Sequence, residues 1–418
     1  MGINFTKANG FIFSLCIFLL SACSTSKKTT APPAKPVVVA PVDEPKELSK
    51  DTLTKKDPSV ETLTIALLLT LKLEEHFAND TAPDTNPLIL QEALASLNFY
   101  EGALMASDTL STKSKKINFR IIDTGEDSLA TVTKLNTTTM DDVDAVVSFL
   151  PSNYTSLLAR ISNRWAKPLY IFAASNTSIL EKNKWIRLMN PSNYTQITQA
   201  ATYIASKHKD DKIFALYREQ KGENLISILF ADVIDSLQGQ KGACSRINYK
   251  SDSFAALKSK FSKTKMNVLI IPTSDESFLS SILNKLNDEK KEYQFKLMGM
   301  PAWENFNSID PELMNKLGAS FFSGMYIDTK SPDVAQFRKK FILEYHANPT
   351  LAAYMGYDVV SCILEESENT KRNREIRFRS LLNSGREIIL SPVCESCGFE
   401  SKSINLLKYG EYELVLVK

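Results

Sequence analysis

The sequence predicts an α/β protein of two doubly wound parallel-sheet lobes. Three observations carry this prediction. Short apolar runs recur at intervals of roughly 25 to 50 residues. Helical periodicity fills the spaces between them, and the series begins again near residue 191 with no proline-rich linker before it. Unbroken apolar runs suit strands buried on both faces of a parallel sheet, and strand–helix alternation is the rhythm of βαβ units.

In the first series, residues 63–69 (LTIALLL) form the opening strand. Residues 88–110 form a helix with Leu90, Leu94, Leu97, Gly102 and Met105 near one side. Strand 117–122 follows, closed by Asp123-Thr124-Gly125. A short helix at 128–135 leads to strand 145–150, and helix 155–165 leads to strand 169–172. The second series opens with helix 194–207 and strand 212–217, then helix 225–237 and strand 244–249. Helix 254–262, strand 268–271, helix 278–286 and strand 295–299 continue it, and a last strand covers 321–327. Helices at 334–346 and 351–365 come next, and 404–407 with 413–417 read as a hairpin around Gly410. Two α/β sets therefore lie in one chain, residues 61–190 and 191–327, followed by residues 328–385. Residues 386–418 are expected to be a crossover and hairpin.

Composition narrows the function classes. Fifty Lys and Arg against 48 Asp and Glu give +2, whereas a nucleic-acid binder carries a basic excess, so no nucleic-acid partner is expected. With 43% hydrophobic and 23% charged residues the chain can bury a real core. Its three histidines, His76, His208 and His346, are far apart, which argues against a metal site of several imidazoles. Fourteen glycines leave little material for glycine-rich phosphate loops. No G-x-S-x-G elbow, Walker loop, H-E-x-x-H or G-x-G-x-x-G is present, so no enzyme, catalytic residue, cofactor or metal is assigned.

The N-terminus directs the chain out of the cytoplasm. Lys7 supplies a positive start and residues 11–20 a short apolar core, too short to span a bilayer and suited to a signal peptide over 1–22. Leu20-Ser21-Ala22-Cys23 resembles the lipobox of bacterial lipoproteins, in which the cysteine takes the lipid (palmitate among its acyl chains) and becomes the first mature residue. Ser24 resembles an outer-membrane sorting residue. The alternative is an ordinary signal peptide with an incidental Cys23. Residues 23–60 read as a tether: Pro32, Pro33, Pro36, Pro41, Pro45 and Pro58 stand among Ser, Thr, Ala and Lys. Such a segment reaches up to roughly 110 Å as polyproline and nearer 35 Å as flexible coil. Val37-Val38-Val39 is the one candidate strand within it.

Several local motifs then line up in order. Phe99-Tyr100-Glu101-Gly102-Ala103-Leu104-Met105-Ala106 fits F-x-G-A-x-x-A after the first strand, and Asp123-Thr124 ends the second. Gly299-Met300-Pro301-Ala302-Trp303 fits G-x-x-x-W. Phe337 to Tyr345, Pro349 and Ala353-Tyr354-Met355-Gly356-Tyr357-Asp358 fit F-x-x-x-Y, P and A-x-x-G-Y-D. Over about residues 62–418 the chain resembles the type 1 periplasmic solute-binding proteins, which include branched-chain amino-acid receptors and penicillin-binding-protein activators. The resemblance implies lobes joined by hinge crossovers, with 61–190 and 328–385 in lobe 1 and 191–327 and 386–418 in lobe 2, and capture of a small polar ligand, an amino acid or short peptide, between them for an ABC-type permease or a sensor. Its other implication is a protein-interaction module, for example docking a cell-wall synthase. Two departures bear on this: the loop after the first strand reads Leu71-Lys72-Leu73-Glu74-Glu75 without glycine, and the third strand ends in Ser148-Phe149-Leu150-Pro151-Ser152-Asn153 where the family has a Gly-Pro turn.

Ligands of open α/β sheets sit beyond the carboxyl ends of strands. There the sequence places Asp123 and Thr124, Ser152 and Asn153, Ser175, Asn176 and Thr177, Arg218 and Glu219, and Thr273, Ser274 and Asp275. Hydroxyls, amides and helix N-termini can hold a carboxylate, Arg218 an anion, and Asp275 or Glu219 an ammonium, while Trp303 is placed to cover an apolar side chain. The competing role for each small polar residue is to cap the following helix. Cys394 and Cys397, in C-x-x-C spacing, are expected to form a local disulfide in an oxidising compartment, with redox or zinc chemistry as the alternative.

Overall fold

In the computed structural model, residues 61–73, 87–112, 115–125, 128–172, 177–250, 253–368, 375–410 and 413–417 are described. Ile65 to Leu69 are five apolar residues in succession and all are fully buried, because β1 (Glu61–Leu69) lies inside a sheet covered on both faces. Beside it run β2 (Lys115–Asp123), β3 (Ala145–Ser148), β4 (Leu169–Ile171) and β5 (Ile186–Leu188), all parallel, in the order β2-β1-β3-β4-β5. The second sheet repeats the plan with β6 (Lys212–Tyr217), β7 (Cys244–Asn248), β8 (Asn267–Ile270), β9 (Phe295–Gly299) and β10 (Ala319–Ser323), in the order β7-β6-β8-β9-β10. Strand order reverses between β1 and β3, and again between β6 and β8. Those are the crevices in which a doubly wound sheet takes its ligand.

The tail corrects one expectation. β11 (Ile376–Ser380), β12 (Arg386–Pro392) and β13 (Phe399–Ser401) extend the first sheet beyond β5, and only β14 (Asn405–Gly410) and β15 (Glu413–Leu416) join the second. Residues 386–401 thus lie in lobe 1. The apolar sides of β12 and β13 explain it: Ile388, Leu390 and Phe399 pack into the core under β1 and β4. The strand expected over 321–327 stops at Ser323, and 324–331 forms a crossover between the lobes.

Helices cover both faces of each sheet. In lobe 1, α1 (Pro87–Leu110) lies on one face, and α2 (Ser128–Thr137) and α3 (Thr155–Trp165) on the other. In lobe 2, α4 (Asn193–Lys207) and α5 (Lys221–Gln238) oppose α6 (Phe254–Lys258), α7 (Glu276–Glu289) and α8 (Pro311–Lys316). The chain then returns to lobe 1 with α9 (Pro332–Tyr345) and α10 (Leu351–Glu368), and α10 crosses α1 in the most extensive helix–helix contact among the described residues. A Cβ on Gly102 would lie 1.9 Å from the carbonyl oxygen of Ala353, and one on Gly356 would lie 1.9 Å from that of Phe99. The F-x-G-A and A-x-x-G motifs are the two halves of this one crossing.

Asp358, next in the second motif, is fully buried and receives Ser380 Oγ at 2.5 Å and the Leu381 and Leu382 N–H groups at 2.8 and 3.1 Å. It pins α10 to the corner after β11. Burial pushes its carboxyl up to about 7 despite those three donors.

Candidate ligand-binding site

At the β1/β3 crevice of lobe 1 the structure holds a cavity of about 790 Å³. That lies within the range of about 300–1,000 Å³ usual for small-molecule sites. Each wall follows from the topology. β1 leads into Thr70, β3 runs into residues 148–151, β4 ends at Ile171 and leads into Phe172, and α1 and α10 contribute Ser96 and Met355. Phe149 stacks on buried Phe99 at 4.5 Å, and Phe172 meets the same ring edge-on at 5.6 Å, so the apolar side is rigid. The polar side consists of Thr70, Ser96, Ser148, Ser152, Asn153 and Thr155. Among the described residues no acidic or basic side chain lines it.

Ser152 and Asn153, two expected site residues, are exposed on a 3-10 turn (Ser152–Tyr154) that leads straight into α3. No side chain caps either the turn or the helix. The pentapeptide here, Pro151-Ser152-Asn153-Tyr154-Thr155, occurs a second time as Pro191-Ser192-Asn193-Tyr194-Thr195 at the start of α4. In that copy Ser192 and Thr195 are engaged, while Asn193 and Tyr194 are exposed. Ser192 Oγ caps Thr195 N–H at 3.1 Å, Ser192 N–H donates to the Glu400 carboxylate at 2.8 Å, and the Ser192 and Thr195 hydroxyls also face that carboxylate. One sequence thus grips an internal carboxylate at one helix start and opens onto the crevice at the other.

Asp123 does not face the cavity. Its carboxylate accepts the N–H groups of Leu71 (2.8 Å), Lys72 (3.2 Å), Leu73 (2.8 Å) and Gly125 (3.2 Å), tying down the glycine-free loop after β1. Partial burial opposes ionisation, but the four donors outweigh it and hold the carboxyl below its ordinary value. The stabilisation is therefore complete above the ordinary carboxyl range near pH 4 and is lost as pH falls through the lowered value. Asp123→Asn is expected to lower the melting temperature at pH 7 and to flatten its decline between pH 5 and pH 3, as followed by calorimetry.

Lobe 2 uses its candidates internally. Arg218 donates to Glu223 through Nε at 3.0 Å, to Asp275 at 2.7 Å and to Thr273 Oγ1 at 3.1 Å, and lies 4.3 Å over the Phe278 ring. These carboxylates, that of Glu223 first, raise its pKa. Asp275 also caps α7 through Phe278 N–H at 3.0 Å, so its helix-capping role is the one realised. Glu219 accepts from Asn248 at 3.1 Å. Ser274 is exposed beside this network. At the β6/β8 crevice Arg218 and Asp275 are thus paired with each other, which corrects the expectation that they meet an anion and an ammonium of the ligand, while Glu219 stays largely exposed.

Trp303 requires the same correction. It is fully buried, its indole N–H donates to the Thr273 carbonyl at 3.0 Å, and a Cβ on Gly299 would lie 2.3 Å from its ring. The G-x-x-x-W motif therefore packs the lobe 2 core and covers no ligand. Ser175, Asn176, Cys23, the signal peptide and the 23–60 tether with residues 37–39 lie outside the described residues. Cys394 and Cys397 are joined by a disulfide in the β12–β13 loop, at the end of the sheet opposite the cavity, while Cys244 and Cys362 are free and buried. Among the described residues no group of acidic, His or Cys side chains is placed to hold a metal, and no helix is long and apolar enough to cross a membrane.

A profile of the periplasmic binding protein family matches residues 94–375. The chain belongs to that family. Its likeness to solved structures is one of fold. An ABC transporter substrate-binding protein from Desulfitobacterium hafniense, in complex with Leu, is 16% identical, with 85% of this chain and 100% of that one aligned at a TM-score of 0.54. A putative branched-chain amino acid ABC transporter from Rhodospirillum rubrum aligns at 12% identity, 86% and 100% coverage and 0.57. The C-domain of LpoA from Haemophilus influenzae, a regulator of PBP1A, aligns at 14%, 85% and 100%, and 0.55. No curated protein sequence matches the chain. Membership of this binding-protein family places the chain in the cell envelope.

Proposed function

We propose that the protein is a lipid-anchored solute-binding protein that holds a small carboxylate-bearing molecule, such as an amino acid or short peptide, in the lobe 1 cavity. Cys23 is the lipid attachment point, palmitate is among its acyl chains, and Ser24 directs the anchor to an outer membrane. The tether lets the lobes stand clear of the lipid. The supporting observation is the repeated pentapeptide: the copy at α4 holds a carboxylate through Ser192 and Thr195, and the copy at the cavity presents the Ser152 and Thr155 side chains, neither of which caps the turn or the helix. Hydroxyl and N–H donors at a helix start suit a carboxylate without a countercharge.

A micromolar ligand supplies about 8 kcal/mol, enough to shift an open–closed gap of a few kcal/mol, and an ABC-type permease or sensor would read the closed form. Thermal-shift screening of the full chain against amino acids, short peptides and other small carboxylates, each beside its amide, tests this reading. Carboxylates are expected to raise the melting temperature and their amides to do so less. Equal shifts for acid and amide, or none for any compound, would count against it.

The second reading is a protein-interaction module that docks a cell-wall synthase. Its support is specific to lobe 2, where Arg218, Glu223 and Asp275 satisfy one another and Trp303 is sealed in the core. A lobe whose Arg218, Asp275 and Trp303 bind within the protein suits a docking scaffold. Pull-down of envelope proteins with the tethered chain, in the presence and absence of the screened ligand, separates the two.

A further inference from the structure

Three crossovers join the lobes: residues 189–192, 324–331 and 402–404. One buried carboxylate ties the first to the third. Glu400, on β13, has no exposed surface. It receives Ser192 N–H of the first crossover at 2.8 Å and Lys402 Nζ of the third at 2.6 Å, with the Ser192 and Thr195 hydroxyls beside it. Burial alone would favour its neutral form, but these donors outweigh burial and keep it ionised. The second crossover is wedged against the same point: a Cβ on Gly324 would come within 2.9 Å of the Pro191 ring. Asn405 completes the link by donating to the Ser323 carbonyl at 3.3 Å and to Asn383 at 3.0 Å. Any change in the relation between crossovers must strip donors from an enclosed anion, which is among the costlier losses a fold can suffer.

We infer that Glu400 is the hinge clamp: its carboxylate holds the first and third crossovers together and thereby fixes the ligand-free arrangement of the lobes. The inference goes beyond the binding reading and stands for either occupant of the lobes, because it concerns the protein with nothing bound.

The test uses the ligand-free full chain carrying spin labels at exposed Asn163 on α3 and Asp288 on α7, introduced as noncanonical residues, with distances read by pulsed electron resonance. Glu400→Gln keeps the side-chain volume and removes the charge. It is expected to broaden the interlobe distribution, with at least about tenfold more of the population outside the wild-type range. Glu400→Ala is expected to broaden it further and to return toward wild type when sodium acetate fills the vacated carboxylate position. A folded Glu400→Gln protein with the wild-type distribution overturns the inference. So does a broadened Glu400→Ala protein that acetate leaves unchanged. Should Glu400→Ala fail to fold, Lys402→Met takes its place beside Glu400→Gln, and wild-type distributions in both overturn the clamp. Ligand binding is not read in any arm, so failure here is distinct from failure of the proposed function.

Discussion

Gly356→Ala is expected to lower the melting temperature of lobe 1 by roughly 10 °C, through an overpacking cost of about 3 kcal/mol. The added methyl group would meet the Phe99 carbonyl oxygen at 1.9 Å and the Ala103 nitrogen at 2.9 Å. Both are backbone atoms inside a helix, so no side-chain rotation relieves the clash and α1 must move off α10. That movement disturbs Phe99, whose ring supports Phe149 and Phe172 in the cavity wall, and Met355, which lines the cavity itself. Lobe 1 stability and ligand binding should therefore fall together, while the lobe 2 transition stays in place. A methyl group added at Gly222, at the start of α5, would have nothing within 4 Å, so Gly222→Ala is the matched control and should shift the transition by no more than about 2 °C. Calorimetry of the two variants decides the point, and equal small effects would mean that the helix crossing is not the keystone of the lobe.

Ser152→Asp is expected to abolish carboxylate binding, weakening it by at least about a hundredfold, with the ligand-free melting temperature unchanged to within about 2 °C. In the proposed function the Ser152 hydroxyl is a donor to the ligand carboxylate. A second carboxylate at Ser152 would both remove that donor and repel the ligand. Stability should not suffer, because Ser152 is exposed and caps neither the 3-10 turn nor α3. Ser152→Ala removes one donor and leaves the backbone N–H groups, so its effect should be nearer tenfold, about the worth of a single hydrogen bond to a charged group. Calorimetric titration with the tightest compound from the carboxylate screen measures both. Undiminished binding to Ser152→Asp would remove this turn from the site.

The alternation of strand and helix was legible because the central strands β1, β3 and β8 are dominated by apolar residues and helices such as α3 and α7 bury a single apolar side. The elements that escaped are those with weaker signals. β5 spans only Ile186–Leu188, too short for a pattern to develop. β11 reads Ile-Arg-Phe-Arg-Ser, a strict period of two that marks a half-buried strand, and it would have placed the tail in lobe 1. The motif glycines were legible as markers of close approach, but not the partner each one meets. In the site, Ser152 and Asn153 follow from position alone, since they stand after a strand at the reversal of sheet order. Arg218, Asp275 and Trp303 stand after strands too, yet chemistry consumes them: Glu223 reaches Arg218 from the first turn of α5, and the Thr273 carbonyl takes the indole proton. No residue-by-residue reading separates an engaged polar group from a free one. The repeated Pro-Ser-Asn-Tyr-Thr was the signal that could have done so, because comparing its two copies asks what each one holds.

Hydrogen–deuterium exchange of the full chain with and without the selected carboxylate locates the bound group. Slowed exchange at the amides of residues 152–155, together with Thr70 in the cavity wall, is the expected outcome. Protection confined to residues 273–275 and the Arg218 network of lobe 2, with 148–155 exchanging as in the free protein, would contradict a carboxylate seat in the lobe 1 crevice.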